Sequence, residues 1–183
     1  MNLKEKYNRE IKPALQEQLK LTNQLAVPAP VKAVVNIGVG KYRDDQEAQK
    51  AIVHDLALLT GQQPQKTFAR QAIAGFKIRR GSHVGYKITL RGRKMYDFIS
   101  RLFNLSLPRT RDFRGLPEKS VDQAGNLTLG IKEHIVFPEI SHENVRFIFS
   151  LEVVLVSSAR SRQEALALFR LLGVPFRVAK KNA

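Results

Sequence analysis

Between residues 66 and 114 stand thirteen lysines and arginines, at 66, 70, 77, 79, 80, 87, 91, 93, 94, 101, 109, 111 and 114, against two acids, Asp97 and Asp112. This window carries +11 of the +15 formal charge, whereas the chain on each side of it is balanced at nine basic and seven acidic residues. Cations crowded in this way repel one another and gain nothing by folding together, so they make sense as a surface that neutralises a polyanion and releases its counterions. A solvated face kept for solubility is the plainer explanation, but solubility favours mixed signs. The chemistry indicated is phosphate binding. Phe68, Phe76, Tyr86 and Phe113 are interleaved with the cations and have the rings to stack on exposed bases. For Tyr86 the competing role is core packing. Asn36, Gln62 and Thr89 add polar groups that give specificity where charge alone gives none. Composition does not separate RNA from DNA; the lack of a helix-turn-helix or zinc module only weighs against DNA.

Other chemistry is poorly supported. Gly38-Val-Gly40-Lys41 invites a phosphate-loop reading, yet that pattern needs glycine where Val35 stands and serine or threonine where Tyr42 stands. The dinucleotide fingerprint fails at Arg43, which occupies its third glycine. His54, His83, His134 and His142 show no metal-ligand spacing, and Glu133, Glu139 and Glu143 near His134 have no fixed mutual geometry for acid–base work. With no cysteine, disulfides, zinc–thiolate sites and thiol nucleophiles are excluded, and a reducing compartment such as the cytosol is the default. No cofactor or metal is expected. The first dozen residues are charged and unlike a signal peptide, and no stretch approaches the ~20 apolar residues of a membrane span.

The elements that must position these groups follow from periodicity. Leu3, Tyr7, Ile11, Leu15 and Leu19 recur every fourth residue, predicting an N-terminal helix that Pro13 kinks or splits. Alternation over 33–40 predicts a strand with Val35, Ile37 and Val39 in the core and Val34, Asn36, Gly38 and Gly40 opposite, a face with little bulk on which another backbone could dock. A helix capped by Asp44, with Glu47 three residues on, buries Ala48, Ala51, Ile52, Leu56 and Leu59 before Gly61 ends it. A short strand over 65–70 leads to a glycine-bounded, flexible basic loop at about 72–85, then a strand in which Tyr86, Ile88 and Leu90 point inward and Lys87, Thr89 and Arg91 outward. Met95, Phe98, Ile99, Leu102 and Phe103 mark a helix closed by Pro108 and followed by the Arg-rich turn 109–115. Further strands are predicted at 127–131, 135–137 and 146–157, and a last helix runs from a Ser161–Glu164 capping box to Gly173. The pattern gives an α+β fold, a mostly antiparallel sheet with helices packed on one face, read as a single domain over 1–183.

Three motifs in register narrow this further. Ala74-Gly-Phe-Lys-Ile-Arg-Arg-Gly81, Lys87-Ile-Thr-Leu-Arg-Gly92 and Pro108-Arg-Thr-Arg-Asp-Phe-Arg-Gly-Leu116 closely resemble the bacterial ribosomal protein five family of the large subunit, the 5S-rRNA-binding family. The likeness continues through Asn36-Ile-Gly-Val-Gly40, Leu59-Thr-Gly-Gln62, Gly130-Ile-Lys-Glu-His-Ile-Val-Phe-Pro-Glu139 and Pro175-Phe-Arg177, and so spans essentially the whole chain. One departure is Gln65, where the family usually carries an aliphatic residue. The resemblance implies a structural, non-enzymatic role in the ribosome of the cytoplasm. It implies attachment of 5S rRNA within the central protuberance and contacts with 23S rRNA, peptidyl-site tRNA and a small-subunit head protein.

By the same resemblance, 5S rRNA meets the sheet face at Asn36, Gly38, Gly40, Gln62, Thr89 and Arg91, with Lys66, Arg70 and Lys87 on phosphates. Phe76, Lys77, Arg79 and Arg80 belong to the loop that touches tRNA, and Arg111, His134 and Glu143 to the intersubunit contact. The alternatives are a non-specific or chaperone-like nucleic-acid binder working by charge alone, and an enzyme built on the loop at 38–41.

Overall fold

The computed structural model describes residues 2–140 and 145–177, which form two compact units. The strands pair in a five-stranded sheet in the order β2-β3-β1-β5-β4. Its strands are β1 (Pro30–Gly38), β2 (Gln65–Phe68), β3 (His83–Leu90), β4 (Leu127–Ile131) and β5 (Leu151–Ser157). The helices are α1 (Leu3–Lys6), α2 (Lys12–Gln18), α3 (Gln46–Thr60), α4 (Gly92–Arg101) and α5 (Arg162–Leu171). The result is an α+β protein with an antiparallel sheet, as the periodicity predicts.

The first unit joins Met1–Ala33, Arg91–Leu129 and Val154–Ala183. Its N-terminal helix is not simply kinked at Pro13: a π-helical turn, Tyr7–Ile11, separates α1 from α2 and is closed by a bond from the Lys12 N–H to the Tyr7 carbonyl. Proline at 13 cannot donate and its ring crowds the carbonyl four residues back, that of Arg9; widening the turn relieves the clash. The wider turn also absorbs the drift of a four-residue repeat on a 3.6-residue helix, so Tyr7, Ile11 and Leu15 all stay buried. Tyr7 then donates from its hydroxyl to the Pro28 carbonyl at 2.8 Å.

Met95, Phe98, Ile99, Leu102 and Phe103 are buried as their spacing requires, and α4 continues into a second π-turn, Leu102–Ser106, before Pro108. In α5 the Ser161 side chain accepts from the Glu164 N–H at 3.3 Å, and the Glu164 carboxylate accepts from the Arg160 N–H at 2.8 Å.

The second unit, Val34–Leu90 and Gly130–Val153, holds most of the candidate residues. Val35, Ile37, Tyr86, Ile88, Leu151 and Val153 alternate into its core, where α3 lays Ala48, Ile52, Leu56 and Leu59. The α3 cap is Asp45, not Asp44: its carboxylate accepts from the Ala48 N–H at 2.9 Å, the register of three residues that a capping side chain needs. Gly61 ends the helix at φ +64°.

Two predicted strands are corrected. Ile135 and Val136 belong to a 3-10 turn, His134–Val136, with Phe137 at its C-cap, and β5 begins at Leu151, although Phe149 is buried in phase with it. Side-chain alternation alone does not make a strand where the backbone finds no ladder partner.

β3 sits between β2 and β1. At Gly85 it comes close to β1: a Cβ there would stand 2.3 Å from the Ile37 carbonyl oxygen. Only glycine lets these strands meet. Gly85→Ala is therefore expected to cost on the order of 3 kcal/mol, the upper range for overpacking, because the obstructing atom is backbone. A lowered denaturant midpoint checks this; a midpoint equal to wild type would show that the strands part without cost.

Candidate nucleic-acid interface

Pairing of β2 with β3 decides which side chains share a surface. Gln65 lies opposite Lys87, Lys66 opposite Tyr86, and Thr67 opposite Gly85, with a bulge between Thr67 and Phe68. Directly opposed residues of an antiparallel pair point to the same side. Tyr86 is 3% exposed and points into the core side, so Lys66 lies on that side of the hairpin as well.

The other side is open. It presents Gln65 and Thr67 from β2, Lys87 and Thr89 from β3, Asn36 and Gly38 from β1, and Gly130 and Glu152 from β4 and β5. A Cβ placed on Gly38 or Gly130 meets no atom within 4 Å, so nothing in the fold requires glycine there on grounds of space. Asn36, Gly38, Gly130, Lys132 and Glu152 surround a depression of about 480 Å³.

Of the residues singled out from sequence, Asn36, Gly38, Lys87 and Thr89 come together on this open face. Gly40 is exposed at the start of the 3-10 turn Gly40–Tyr42. Gln62, exposed just past α3, donates from Nε2 to the Thr89 carbonyl at 3.5 Å, a long bond that ties it beside β3. Arg70 is exposed beyond β2, and Arg91 is exposed at the N-cap of α4 in the other unit. Lys66 is the exception, removed from the open face by register.

Gln65 and Thr67 belong to the face and were not singled out; β2 alternates by two, but only its pairing with β3 says which alternate faces out. The aliphatic residue usual at 65 is no loss to the core here, because Gln65 is exposed on β2.

Beyond β2 and β3 the hairpin continues in bonded form. Ala69 N–H donates to Ser82 O and Gly81 N–H to Ala69 O, both at 2.9 Å, and Ile73 and Ile78 exchange bonds at 2.9 and 3.2 Å. A 3-10 turn, Ala74–Phe76, leads to Lys77 at φ +51°, whose carbonyl accepts from Arg43 Nη1 at 3.0 Å. The tip carries Phe76, 70% exposed, with Lys77, Arg79 and Arg80, all exposed. Between Asp55 and Asp97 there is no acidic residue, and among the described residues no carboxylate pairs with Lys66, Arg70, Lys77, Arg79, Arg80 or Lys87. Their charge is free for an external anion.

In the first unit the turn 109–115 has Asp112 at φ +53° and Gly115 at φ +88°. Leu116 donates to the Pro175 carbonyl at 2.7 Å, and Arg177 returns a bond to Leu116 at 2.8 Å. A Cβ on Gly115 would meet Arg177 N at 2.8 Å. Two sequence motifs far apart in the chain are thus one structure, with Arg111 exposed on it.

The chain's similarities accord with this surface. Residues 23–79 match the family model described as "Ribosomal protein L5", and residues 83–176 match the model that describes the C-terminus of the same ribosomal family. The chain belongs to the ribosomal protein L5 family. It is 48% identical over 177 residues to the large ribosomal subunit protein uL5 of Chloroflexus aurantiacus, covering 97% of this chain and 98% of that one. Identity to the protein of the same name is 45% over 174 residues in Thermoanaerobacter sp., covering 95% and 97%, and 47% over 177 residues in Synechococcus sp., covering 97% and 99%. A ribosomal protein of this family is a structural component and not an enzyme, so the loop at 38–41 is not a catalytic phosphate loop.

Of the candidates for the intersubunit contact, Glu143 lies, with His142, outside the described residues, and one other is corrected. His134 is fully buried, its ring stacked on Phe149 at 3.8 Å between centroids, so the side chain presents nothing to a partner. Its Nδ1 faces the Phe149 N–H at 3.5 Å and its Nε2 lies 3.4 Å from Asp55 Oδ2, both long for hydrogen bonds. Burial lowers the His134 pKa below its usual value, against the raising effect of Asp55.

An unfolded chain takes up this proton near pH 6.5 while the folded one resists it to lower pH. In the window from about 6.5 down to the depressed value the unfolded state binds more protons, so stability rises with pH there. The urea midpoint is expected to fall between about pH 7 and pH 5, and His134→Asn, which keeps an acceptor for the Phe149 N–H, to flatten that slope. An unchanged slope in the variant would contradict this account of the buried imidazole.

Proposed function

We propose that this protein is a structural constituent of the large ribosomal subunit that binds 5S rRNA on the open face of its sheet and helps attach it to the central protuberance. The observation that carries the proposal is the convergence of Asn36, Gly38, Lys87 and Thr89 on a face where the two flanking glycines, Gly38 and Gly130, leave room. Cations set the affinity and polar side chains the selectivity. The depression beside Asn36 includes Glu152, whose carboxylate repels phosphate but accepts from a 2′-hydroxyl or a base amino group. That mixture suits folded RNA better than a generic polyanion.

The hairpin tip, with Phe76, Lys77, Arg79 and Arg80 exposed, suits the backbone of peptidyl-site tRNA, a contact that needs charge more than sequence reading. 23S rRNA is a further partner. Arg111 and Glu143 are the candidates for the small-subunit head protein, and Arg111 is exposed on its turn. The length and identity of the match to large-subunit relatives support the assignment as a whole.

Asn36→Ala or Thr89→Ala is expected to cost on the order of 1 to 3 kcal/mol of 5S affinity if each loses a buried partner. Gly38→Ala separates binding from folding: the added Cβ meets no atom within 4 Å, so thermal stability should hold while 5S affinity falls about tenfold, the scale of one lost hydrogen bond at a close backbone approach. Equal 5S binding by all three variants would place the RNA elsewhere. Reversing the charges at Lys77, Arg79 and Arg80 should spare 5S binding and weaken tRNA contact on the ribosome; a matching loss of 5S affinity would defeat this division of labour.

A further inference from the structure

Register removes Lys66 from the open face, and what it joins is a second, chemically different surface. On the core side of the hairpin, next to α3, a groove of about 570 Å³ is lined, among the described residues, by eight side chains, none of them acidic. From α3 come Gln46, Gln49, Lys50 and Val53, spaced so that they share one flank of the helix. Lys66 and Tyr86, directly opposed on β2 and β3, form the other wall. Tyr86 hydroxyl donates to Gln49 Oε1 at 3.4 Å, and Gln49 Nε2 donates to the carbonyls of Tyr42 and Arg43 at 3.1 and 2.7 Å. Gln49 is thereby committed to holding the wall, whereas Gln46 and Gln63 are exposed.

An aromatic row leads out of the groove. His83 meets Tyr86 edge-on at 4.7 Å and Phe68 at 6.0 Å. His83 Nε2 bonds the Gly85 carbonyl at 2.9 Å, which fixes the ring. Phe68 ends the row at 57% exposure, opposite His83 in the ladder. A large ring held against a fixed imidazole and left open to solvent, two residues from an unpaired lysine, is a stacking platform with a phosphate anchor beside it. These are the two components of single-stranded nucleic-acid binding.

We propose that this groove is a second RNA site, distinct from the open face, that takes unpaired nucleotides: a base stacks on Phe68, Lys50 and Lys66 hold the flanking phosphates, and Gln46 and Gln63 offer hydrogen bonds to a base edge. The groove volume lies within the ~300–1,000 Å³ typical of clefts that enclose a small ligand. A paired helix cannot supply the exposed base face that Phe68 requires, which makes the site selective for loops and bulges over duplex. The inference rests on 5S rRNA occupying the open face, because only then are both surfaces filled at once.

The test uses the full chain bound to 5S rRNA, titrated with a fluorescein-labelled single-stranded RNA of about ten nucleotides, within the usual site size, and with the same sequence as a duplex. The single strand is expected to bind the complex more tightly than the duplex. Phe68→Ala and the pair Lys50→Glu with Lys66→Glu should each weaken it about tenfold, while 5S affinity and thermal midpoint stay at wild-type values. Phe76→Ala serves as the control for the hairpin tip. The proposal is overturned if duplex binds as well as single strand, if 5S rRNA displaces the oligonucleotide, or if Phe76→Ala and not Phe68→Ala removes binding. Failure of the wild type to retain 5S rRNA would count against the open-face assignment instead, and the same titration on the free protein would still decide the groove.

Discussion

The close approach of β3 to β1 at Gly85 governs the rest of the second unit. A side chain at that position would drive into the Ile37 carbonyl, so the absence of one is what lets the ladder form in this register. Register in turn fixes which alternate residues face out, since a slip of one residue would exchange the two faces of every strand. Asn36, Lys87 and Thr89 share a surface, and Lys66 does not, because of this pairing. The chemistry of the surface is therefore a consequence of one backbone contact.

Two kinds of uncompensated polarity then remain. The open face is mild: amides, hydroxyls, glycine backbone, a lysine and a carboxylate. The hairpin tip is severe, with its cations unrelieved by any acid between Asp55 and Asp97. A generic polyanion binder would need only the second. Polar groups spread across a face without bulk add little to electrostatic attraction and are useful where an RNA of defined shape comes close enough to form hydrogen bonds. Membership of a ribosomal protein family fits a protein that has both.

Much of this was legible in the sequence because burial imposes simple periods. The alternation in β1 and β3 and the stripes of α3 and α4 follow from apolar spacing alone, and Gly61 and Ser161 mark helix ends by local chemistry. What was not legible depends on partners distant in the chain. The side on which Lys66 lies is set by Tyr86, twenty residues away on another strand. His134 reads as a loop histidine but is buried by Phe149, and residues 135–137 alternate like a strand without a ladder to join. The π-turn at Tyr7–Ile11 is an intermediate case: Pro13 announces a defect, and the four-residue repeat tells, in hindsight, which defect keeps the stripe buried.

The most direct measurement of the central claim is binding of the wild-type protein to 5S rRNA against a scrambled RNA of equal length over a series of salt concentrations. Recognition by the open face predicts a preference of about tenfold or more for 5S rRNA that persists as salt rises, because hydrogen bonds to a folded RNA are less screened than phosphate contacts. Equal affinities falling together, with logarithmic slopes of about 0.7 to 0.9 per phosphate neutralised, would contradict it and leave a protein that binds by charge alone.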